Sequence, residues 1–151
     1  SGFVVTGRFQ KIQYRGVSVI LDVAHNPAAC ERLAQQLQWY NESQSSSTKI
    51  RAVVGVMSDK DVTTMLDFLN PLICDWYPAE IVGIKRALNS GQWAEILYNK
   101  PVATSVLSAF EQALADSREG DTILVFGSFY TVGPVLARLS EEKTREESSR
   151  E

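Results

Sequence analysis

Val19-Ile20-Leu21-Asp22-Val23-Ala24-His25-Asn26-Pro27 joins a predicted strand to a predicted helix. Its apolar first part is typical of a strand covered on both faces, as in a parallel sheet. Asn26 is a favoured N-cap, and Pro27 is favoured at the first helical position because its missing N–H would have no intrahelical partner there. A carboxylate and the chain's only histidine therefore lie where a strand meets the positive end of a helix, which is where open α/β sheets bind ligands. The alternative is that Asp22 and His25 only satisfy the turn.

The alternation of strand and helix continues on both sides of this segment. Strands are predicted at residues 17–23, 50–57, 102–104 and 122–126, with one or two more within 71–89, and residues 3–14 are expected to form an irregular arm or short hairpin. Helices are predicted at residues 27–40, 90–97, 105–117 and 130–142, and another ends near residue 69. Gly133-Pro134 is expected to interrupt the last helix. The repeated units predict an α/β, Rossmann-like, mostly parallel sheet with helices on both faces.

Length and composition predict one domain. The chain has 151 residues and 44% hydrophobic content, which suits a single core over residues 1–140. The charged residues 141–151 are expected to fray, and the serine-rich loop 41–48 offers no reason to fold. Because the chain starts at Ser1 rather than at a methionine, we expect a fragment of a longer protein.

Charge, hydropathy and cysteine content limit the partners. The net charge of −3, the pI near 5.2 and the scattered basic residues argue against nucleic-acid binding. No apolar run approaches the roughly 20 residues of a membrane span and no targeting signal is seen, so we expect a soluble, cytoplasmic protein without a membrane partner. Cys30 and Cys74 have neither metal-ligand spacing nor the density of a disulfide framework. Both are expected to be buried thiols in a reducing compartment, and no metal site is predicted on this chain.

Polar residues follow three of the predicted strands. They are Asp22 to His25, Ser58 to Lys60, and Gly127-Ser128. Parallel topology places all three loops at the carboxyl edge of the sheet, where a phosphate or carboxylate could meet helix N-termini. Ser58 or Asp59 is expected to cap the helix that follows, whereas Lys60 places a cation where the helix dipole disfavours one. No Gly-x-Gly-x-x-Gly fingerprint and no Gly-x-x-x-x-Gly-Lys-Ser/Thr loop is present, which disfavours an autonomous dehydrogenase or nucleotide hydrolase.

Four segments at these loops carry a family resemblance. They are Gly7-Arg8-Phe9-Gln10, Asp22-Val23-Ala24-His25-Asn26-Pro27, Gly55-Val56-Met57-Ser58-Asp59-Lys60-Asp61 and Val125-Phe126-Gly127-Ser128-Phe129-Tyr130-Thr131-Val132. In this order they resemble the C-terminal domain of folylpolyglutamate synthase/dihydrofolate synthase, a member of the Mur ligase superfamily. The family's usual Pro-Gly-Arg is Thr6-Gly7-Arg8 here, and Tyr130 stands where other residues are common.

The resemblance implies an ATP-dependent amide ligase. In such enzymes a substrate carboxylate attacks the γ-phosphate of ATP, and the amino group of L-glutamate captures the acyl phosphate. The expected partners are ATP, Mg²⁺, L-glutamate, and dihydropteroate or a reduced folate, in a monomeric enzyme. The phosphate loop, the magnesium ligands and the pterin site lie in the family's N-terminal ATPase domain, which this chain lacks, so the chain alone is expected to be inactive. Closure of the C-terminal domain would exclude water from the acyl phosphate.

The resemblance also implies roles for individual residues. Arg8 and the segment Asp22, Val23, Ala24 and His25 are expected to contact the nucleotide, with Asp22 accepting from ribose hydroxyls. His25 is the candidate catalytic residue, which orients glutamate or stabilises charge in the tetrahedral intermediate. Ser128 and Lys60 are candidates for binding glutamate, and an ion pair of Lys60 with Asp59 or Asp61 is the alternative.

Two other functions remain open from the sequence. Another Mur-type ligase that acts on a cell-wall precursor would share the fold and the Asp-x-Ala-His turn, although Gly-Arg-Phe-Gln and Phe-Gly-Ser-x-x-Thr-Val favour the folate branch. A stand-alone α/β ligand-binding module belongs to a different class. A phosphate-loop motif upstream of Ser1 would support the ligase.

Overall fold

The computed structural model describes residues 7–44 and 48–150. Expectations for the first part of the arm, for residues 45–47 of the serine-rich loop and for Glu151 lie outside the described residues. The strands are β1 (Gln10–Tyr14), β2 (Val17–Asp22), β3 (Ile50–Val54), β4 (Asp75–Pro78) and β5 (Thr122–Phe126). The helices are α1 (Pro27–Glu42), α2 (Val62–Leu69), α3 (Ser90–Ile96), α4 (Val106–Asp116) and α5 (Phe129–Ser149), and a 3₁₀ turn (Asn70–Leu72) follows α2.

The five strands form one mixed sheet in the order β1-β2-β5-β3-β4. β2, β5, β3 and β4 are parallel to their neighbours, and β1 pairs with β2 as an antiparallel hairpin. The prediction of a mostly parallel sheet is therefore confirmed. Phe126 at the end of β5 pairs with Asp22 on one side and with Val54 on the other, so the loops after β2, β5 and β3 leave the sheet side by side.

Alternate residues of the central strands point to opposite faces of the sheet and belong to two separate hydrophobic cores. Ile20, Ala52 and Leu124 pack under α1, α2 and α3, and Val19, Val53 and Ile123 pack under α4 and α5. Every residue of β5 is buried, as expected of a strand covered on both faces. Helices on both faces are thus confirmed.

Residues 71–89 contain one strand, β4, which agrees with the expected one or two, whereas the strand expected at residues 102–104 is not formed. Residues 80–84 form a turn in which Gly83 has φ of +79° and the Ile84 N–H donates to the Ile81 carbonyl at 3.2 Å. Residues 102–104 contribute a single bridge, Ala79 to Ala103, beside the edge strand β4. The short apolar runs in this segment cover the end of the sheet without extending it.

Helix α5 runs without interruption through Gly133-Pro134, contrary to the expected break, and continues to Ser149. Pro134 lacks the N–H that would donate to the Tyr130 carbonyl, but Tyr130 is exposed, so solvent can reach this end of the helix. Gly133 has no Cβ to clash with the proline ring. Glu142 accepts hydrogen bonds from the Tyr14 hydroxyl and from Arg15 Nη2, the latter at 2.9 Å. These contacts hold the charged end of the helix on the β1–β2 hairpin.

The two cysteines differ in exposure. Cys30 is buried on α1 as expected, and burial, together with the nearby Asp22 charge, raises the pKa of its thiol to about 12. Cys74 is exposed just before β4, so the expectation of a second buried thiol is wrong. Among the described residues, no helix combines the length and the apolar character needed to cross a membrane.

The loops after β3 and β5 pack against each other without room for side chains. Gly127 has φ of +124°, and a Cβ at this position would lie 2.1 Å from the Gly55 carbonyl oxygen. The same carbonyl accepts a hydrogen bond from Thr131 Oγ1 at 2.7 Å. Glycine is required at residue 127 both by its backbone conformation and by this close approach.

Gly127→Ala should lower the free energy of unfolding by at least about 2 kcal/mol, because the Cβ forces β3 and β5 apart at their carboxyl ends. Gly91→Ala is the matched control, since its Cβ would meet nothing closer than 3.5 Å and its φ is not in the left-handed range. Urea denaturation measures both. Equal stabilities for the two variants would contradict this account of the Gly55 contact.

Candidate active site

A cleft of about 230 Å³ opens where β2 passes into α1. Its lining combines the arm before β1, the loop after β2 and one face of α1, namely Arg8, Asp22, Val23, Ala24, His25, Asn26, Ala29, Arg32 and Gln36. All five residues expected to contact a nucleotide lie in this lining. The structure brings Arg8, Asp22 and His25 together from two separate segments of the chain.

Asp22 joins those two segments. Its Oδ2 accepts a hydrogen bond from the Phe9 N–H at 2.9 Å, and its Oδ1 accepts one from the Ala24 N–H at 2.8 Å. The Val23 N–H donates to the Gly7 carbonyl at 2.7 Å and closes the same contact. With Asp22 only 8% exposed, its carboxylate fixes the backbone of both walls of the cleft.

His25 lies at the exposed end of the cleft. Its Nδ1 is 3.0 Å from the Val23 carbonyl oxygen, which can only accept. Nδ1 therefore carries the proton in the neutral ring, and Nε2 carries the lone pair. Asn26, the next residue, caps α1 by accepting from the Ala29 N–H at 2.9 Å, as predicted. The imidazole is thus held at the start of the helix with one nitrogen able to accept a proton.

The electrostatics of the cleft centre on Asp22. Burial raises the pKa of its carboxyl above 3.8, and hydrogen bonds from Phe9 and Ala24 and the charges of Arg8 and Arg32 partly oppose that rise. Within residues 7–44 and 48–150, neither Arg8 nor Arg32 has a carboxylate oxygen within 4.0 Å. Two guanidinium groups therefore lie near one buried carboxylate without being paired to it.

Ser128 lies outside this cleft and is buried at the start of α5. Its Oγ accepts from the Thr131 N–H at 3.1 Å and lies 3.0 Å from Thr131 Oγ1. Because the Thr131 hydroxyl donates to the Gly55 carbonyl, the proton between the two hydroxyls comes from Ser128. The one proton of the Ser128 hydroxyl is therefore used within the cap of α5 and is not available to a ligand carboxylate.

Lys60 also lies outside the cleft, on the loop after β3. Its Nζ is 3.9 Å from Asp59 Oδ2, a loose contact on an exposed carboxylate. The cap of α2 is Asp61 rather than Ser58 or Asp59, and it accepts from the Thr64 N–H at 3.4 Å. The expected cap was wrong because residues 57–60 form a turn that delays the helix.

The backbone of the same turn pairs with a segment that is distant in sequence and carries two further cations, Lys85 and Arg86. The Ser58 N–H donates to the Arg86 carbonyl at 2.7 Å, and Met57 and Ala87 form a bridge. Lys60, Lys85 and Arg86 therefore share this part of the carboxyl edge. Sequence analysis missed Lys85 and Arg86, because nothing local showed that residues 84–87 return to the loop after β3.

The sequence analysis also missed Arg32 and Gln36, which line the cleft beside Asp22. A signal for them was present, because residues 29, 32 and 36 follow the Asn26 cap at the spacing of one helix face. In the described part of the chain, no group of three or more His, Cys, Asp or Glu side chains is arranged to hold a metal ion.

Comparison with known proteins identifies similar sequences and folds. The family model described as "Mur ligase, glutamate ligase domain" matches residues 7–129. The chain is 37% identical over 133 residues to dihydrofolate synthase/folylpolyglutamate synthase of Escherichia coli strain K12, an alignment that covers 88% of this chain and 30% of that protein. It is 31% identical over 158 residues to the protein of the same name from Haemophilus influenzae, with 88% and 35% covered.

Solved structures agree with the sequence matches. E. coli FolC in complex with DHPP and ADP matches with a TM-score of 0.80 and 36% identity, over 93% of this chain and 32% of that one. A bifunctional folylpolyglutamate synthase/dihydrofolate synthase with Mn, AMPPNP and L-glutamate bound matches with a TM-score of 0.79 and 37% identity, over 91% and 32%. The chain spans about a third of the length of the curated relatives it matches.

Asp22→Asn should destabilise the fold by about 1–3 kcal/mol, because an amide group presents a donor to one of the two backbone N–H groups that the carboxylate satisfies. Asp59→Asn is the matched control and should change stability by less than about 0.5 kcal/mol, since its side chain is 63% exposed. Thermal and urea denaturation at neutral pH measure both variants. A loss of the same size in each would show that the Asp22 bridge does not hold the two segments.

Proposed function

The chain belongs to the Mur ligase glutamate ligase domain family, and from this premise we propose that it serves an ATP-dependent amide ligase that adds L-glutamate to dihydropteroate, to reduced folates, or to both. The observation that carries the proposal is the cleft in which Asp22 ties Arg8 to the His25 loop. Two relatives support it, one solved with ADP and DHPP and the other with AMPPNP, Mn and L-glutamate.

In the proposed reaction, a carboxylate oxygen of the acceptor attacks the γ-phosphorus of ATP, and the bond to the β–γ bridging oxygen breaks to release ADP. The amino nitrogen of glutamate then attacks the carbonyl carbon of the acyl phosphate. Phosphate leaves, and the nitrogen loses a proton to form the amide. The tasks for this chain are to hold the nucleotide, to position glutamate and to exclude water.

Arg8, Asp22 and the start of α1 are suited to the nucleotide. Arg8 presents a planar fork of donors without a carboxylate partner among the described residues, which matches a phosphate or a ribose oxygen. Asp22 uses one lone pair of each oxygen for a backbone N–H and keeps others for ribose hydroxyls. The first-turn N–H groups of α1 favour negative charge beside them.

The cleft does not fit a magnesium ion. Mg²⁺ prefers an octahedron of oxygen ligands, whereas the one carboxylate in this cleft is buried and already holds two backbone N–H groups. We therefore place the magnesium ligands, the phosphate loop and the pterin site on an ATPase domain that faces this cleft. The volume of about 230 Å³ lies below that of a typical complete ligand site, which supports an opposing wall.

His25 is proposed as the catalytic residue of this domain. With Nδ1 donating to the Val23 carbonyl, Nε2 is free to accept the proton that the glutamate nitrogen loses as the amide forms. The exposed position of the ring allows it to reach a substrate carried by the facing domain.

The loops after β3 and β5 are proposed to bind glutamate. Because its hydroxyl is engaged, Ser128 acts through the helix that it caps, whose first-turn N–H groups at Phe129 and Tyr130 lack intrahelical partners. Lys60 adds positive charge at the same edge, since its contact with Asp59 is loose. These groups would hold a glutamate carboxylate.

His25→Ala in the full-length enzyme should lower kcat about 100-fold with little change in thermal stability, because it removes an exposed proton acceptor. The measurement is incorporation of labelled glutamate with ATP and magnesium, with dihydropteroate and a reduced folate offered separately. Tyr98→Ala is the control, since Tyr98 is 81% exposed and is not part of the cleft lining. Unchanged turnover in His25→Ala would remove His25 from the chemistry. Failure of the wild type to use either acceptor would overturn the proposed function.

A further inference from the structure

Two residues of the cleft have no role in the reaction described above. Arg32 and Gln36 lie on α1 and line the same cleft as Asp22. They belong to none of the four segments that carry the family resemblance.

Arg32 keeps its donors available. Arg51 and Arg138 show the usual alternative, since each pairs with a carboxylate, at 2.8 Å with Asp121 and at 2.9 Å with Glu111. In the described parts of the chain Arg32 has no such partner within 4.0 Å and donates no side-chain hydrogen bond, although it lies close enough to Asp22 to act on its charge.

The order of groups along α1 sets the direction of a bound nucleotide. The N-terminal end, with His25 and the first-turn N–H groups, favours phosphates. Gln36 lies ten residues beyond the Asn26 cap, or about 15 Å along the helix axis. Asp22 lies on the cleft wall near the start of α1, where a carboxylate disfavours phosphate and suits ribose hydroxyls. Arg32 and Gln36 therefore lie where the uncharged base of the nucleotide would be bound.

We infer that Arg32 and Gln36 form the subsite for the nucleobase, with the guanidinium plane of Arg32 stacked on the base and the amide of Gln36 hydrogen-bonded to its edge. This inference rests on the proposed function and names which part of ATP these residues hold. Guanidinium groups stack on nucleobases and gain from the charge–π attraction. A primary amide offers both a donor and an acceptor, as the edge of a purine does.

The size of the cleft agrees with this assignment. A volume of about 230 Å³ accommodates part of a nucleoside triphosphate rather than all of it. With the base at Arg32 and the ribose at Asp22, the phosphates pass the start of α1 toward the facing domain.

The experiment measures binding of MgATP and of inorganic tripolyphosphate to the full-length protein by calorimetry. Arg32→Ala should weaken MgATP binding about tenfold and leave tripolyphosphate binding unchanged, because the lost contact is with the base. Arg32→Lys should recover little of the loss, since an ammonium group cannot stack as a plane. Gln36→Ala should weaken MgATP binding several-fold, again with tripolyphosphate unaffected.

Matched controls come from the same helix and from a distant arginine. Gln35 is next to Gln36 but lines a different cleft, with Phe68 and Leu72. The Gln35→Ala variant should therefore bind MgATP as the wild type does. Arg145→Ala removes an exposed arginine of α5 and should also bind normally.

Three outcomes would overturn the inference. Equal weakening of MgATP and tripolyphosphate in Arg32→Ala, with both restored in Arg32→Lys, would make Arg32 a phosphate contact. If the wild type incorporates glutamate and Arg32→Ala binds MgATP as tightly as the wild type does, the base subsite is overturned and the proposed function stands. A wild type that neither binds MgATP nor incorporates glutamate would overturn both.

Discussion

The carboxylate of Asp22 is the contact on which the rest of the site depends. One side chain satisfies backbone N–H groups on both sides of the cleft, at Phe9 and at Ala24, and so fixes the arm before β1 against the loop that leads into α1. Because Asp22 is buried, losing either N–H donor would leave its carboxylate poorly solvated at a cost in folding free energy, so both hydrogen bonds must be kept. The positions of Arg8 and His25 follow from it, although within the described residues neither side chain forms a hydrogen bond or an ion pair with Asp22.

The carboxyl edge of the sheet is divided into two regions with different chemistry. Beside β2 the lining combines a buried carboxylate, a helix start and two guanidinium groups that have no carboxylate partner in the described part of the chain. Beside β3 and β5 the side-chain hydroxyls are engaged in holding the loops together, which leaves the backbone of α5 and the exposed cations as the available groups. Such a division suits the proposed ligase, which must hold its nucleotide and its amino acid apart while the acyl phosphate forms between them.

Local sequence patterns predicted most of the fold. At the carboxyl edge of the sheet they predicted the residues beside β2 but not the contacts beside β3 and β5. Continuous apolar runs gave β2, β3 and β5, and helical spacing with Asn26-Pro27 gave α1 to within two residues at its end. The sequence could not show that Ser58 bonds to Arg86, since that contact depends on how residues 80–87 return across the sheet. Nor could it show that the Ser128 hydroxyl donates to Thr131 Oγ1, because that direction follows from the hydrogen bond that Thr131 donates to the Gly55 carbonyl. Long-range contacts, rather than residue preferences, decided both cases.

The unequal exposure of the two cysteines offers a means of testing for the proposed facing domain. Burial and the high pKa of Cys30 protect that thiol from alkylation at ordinary pH, whereas Cys74 is open to solvent. Cys74 precedes β4 and so lies at the amino edge of the sheet, whereas the cleft beside Asp22 lies at the carboxyl edge. A fluorophore attached there would report rotation of this domain against a facing one through energy transfer, without a substitution in the site.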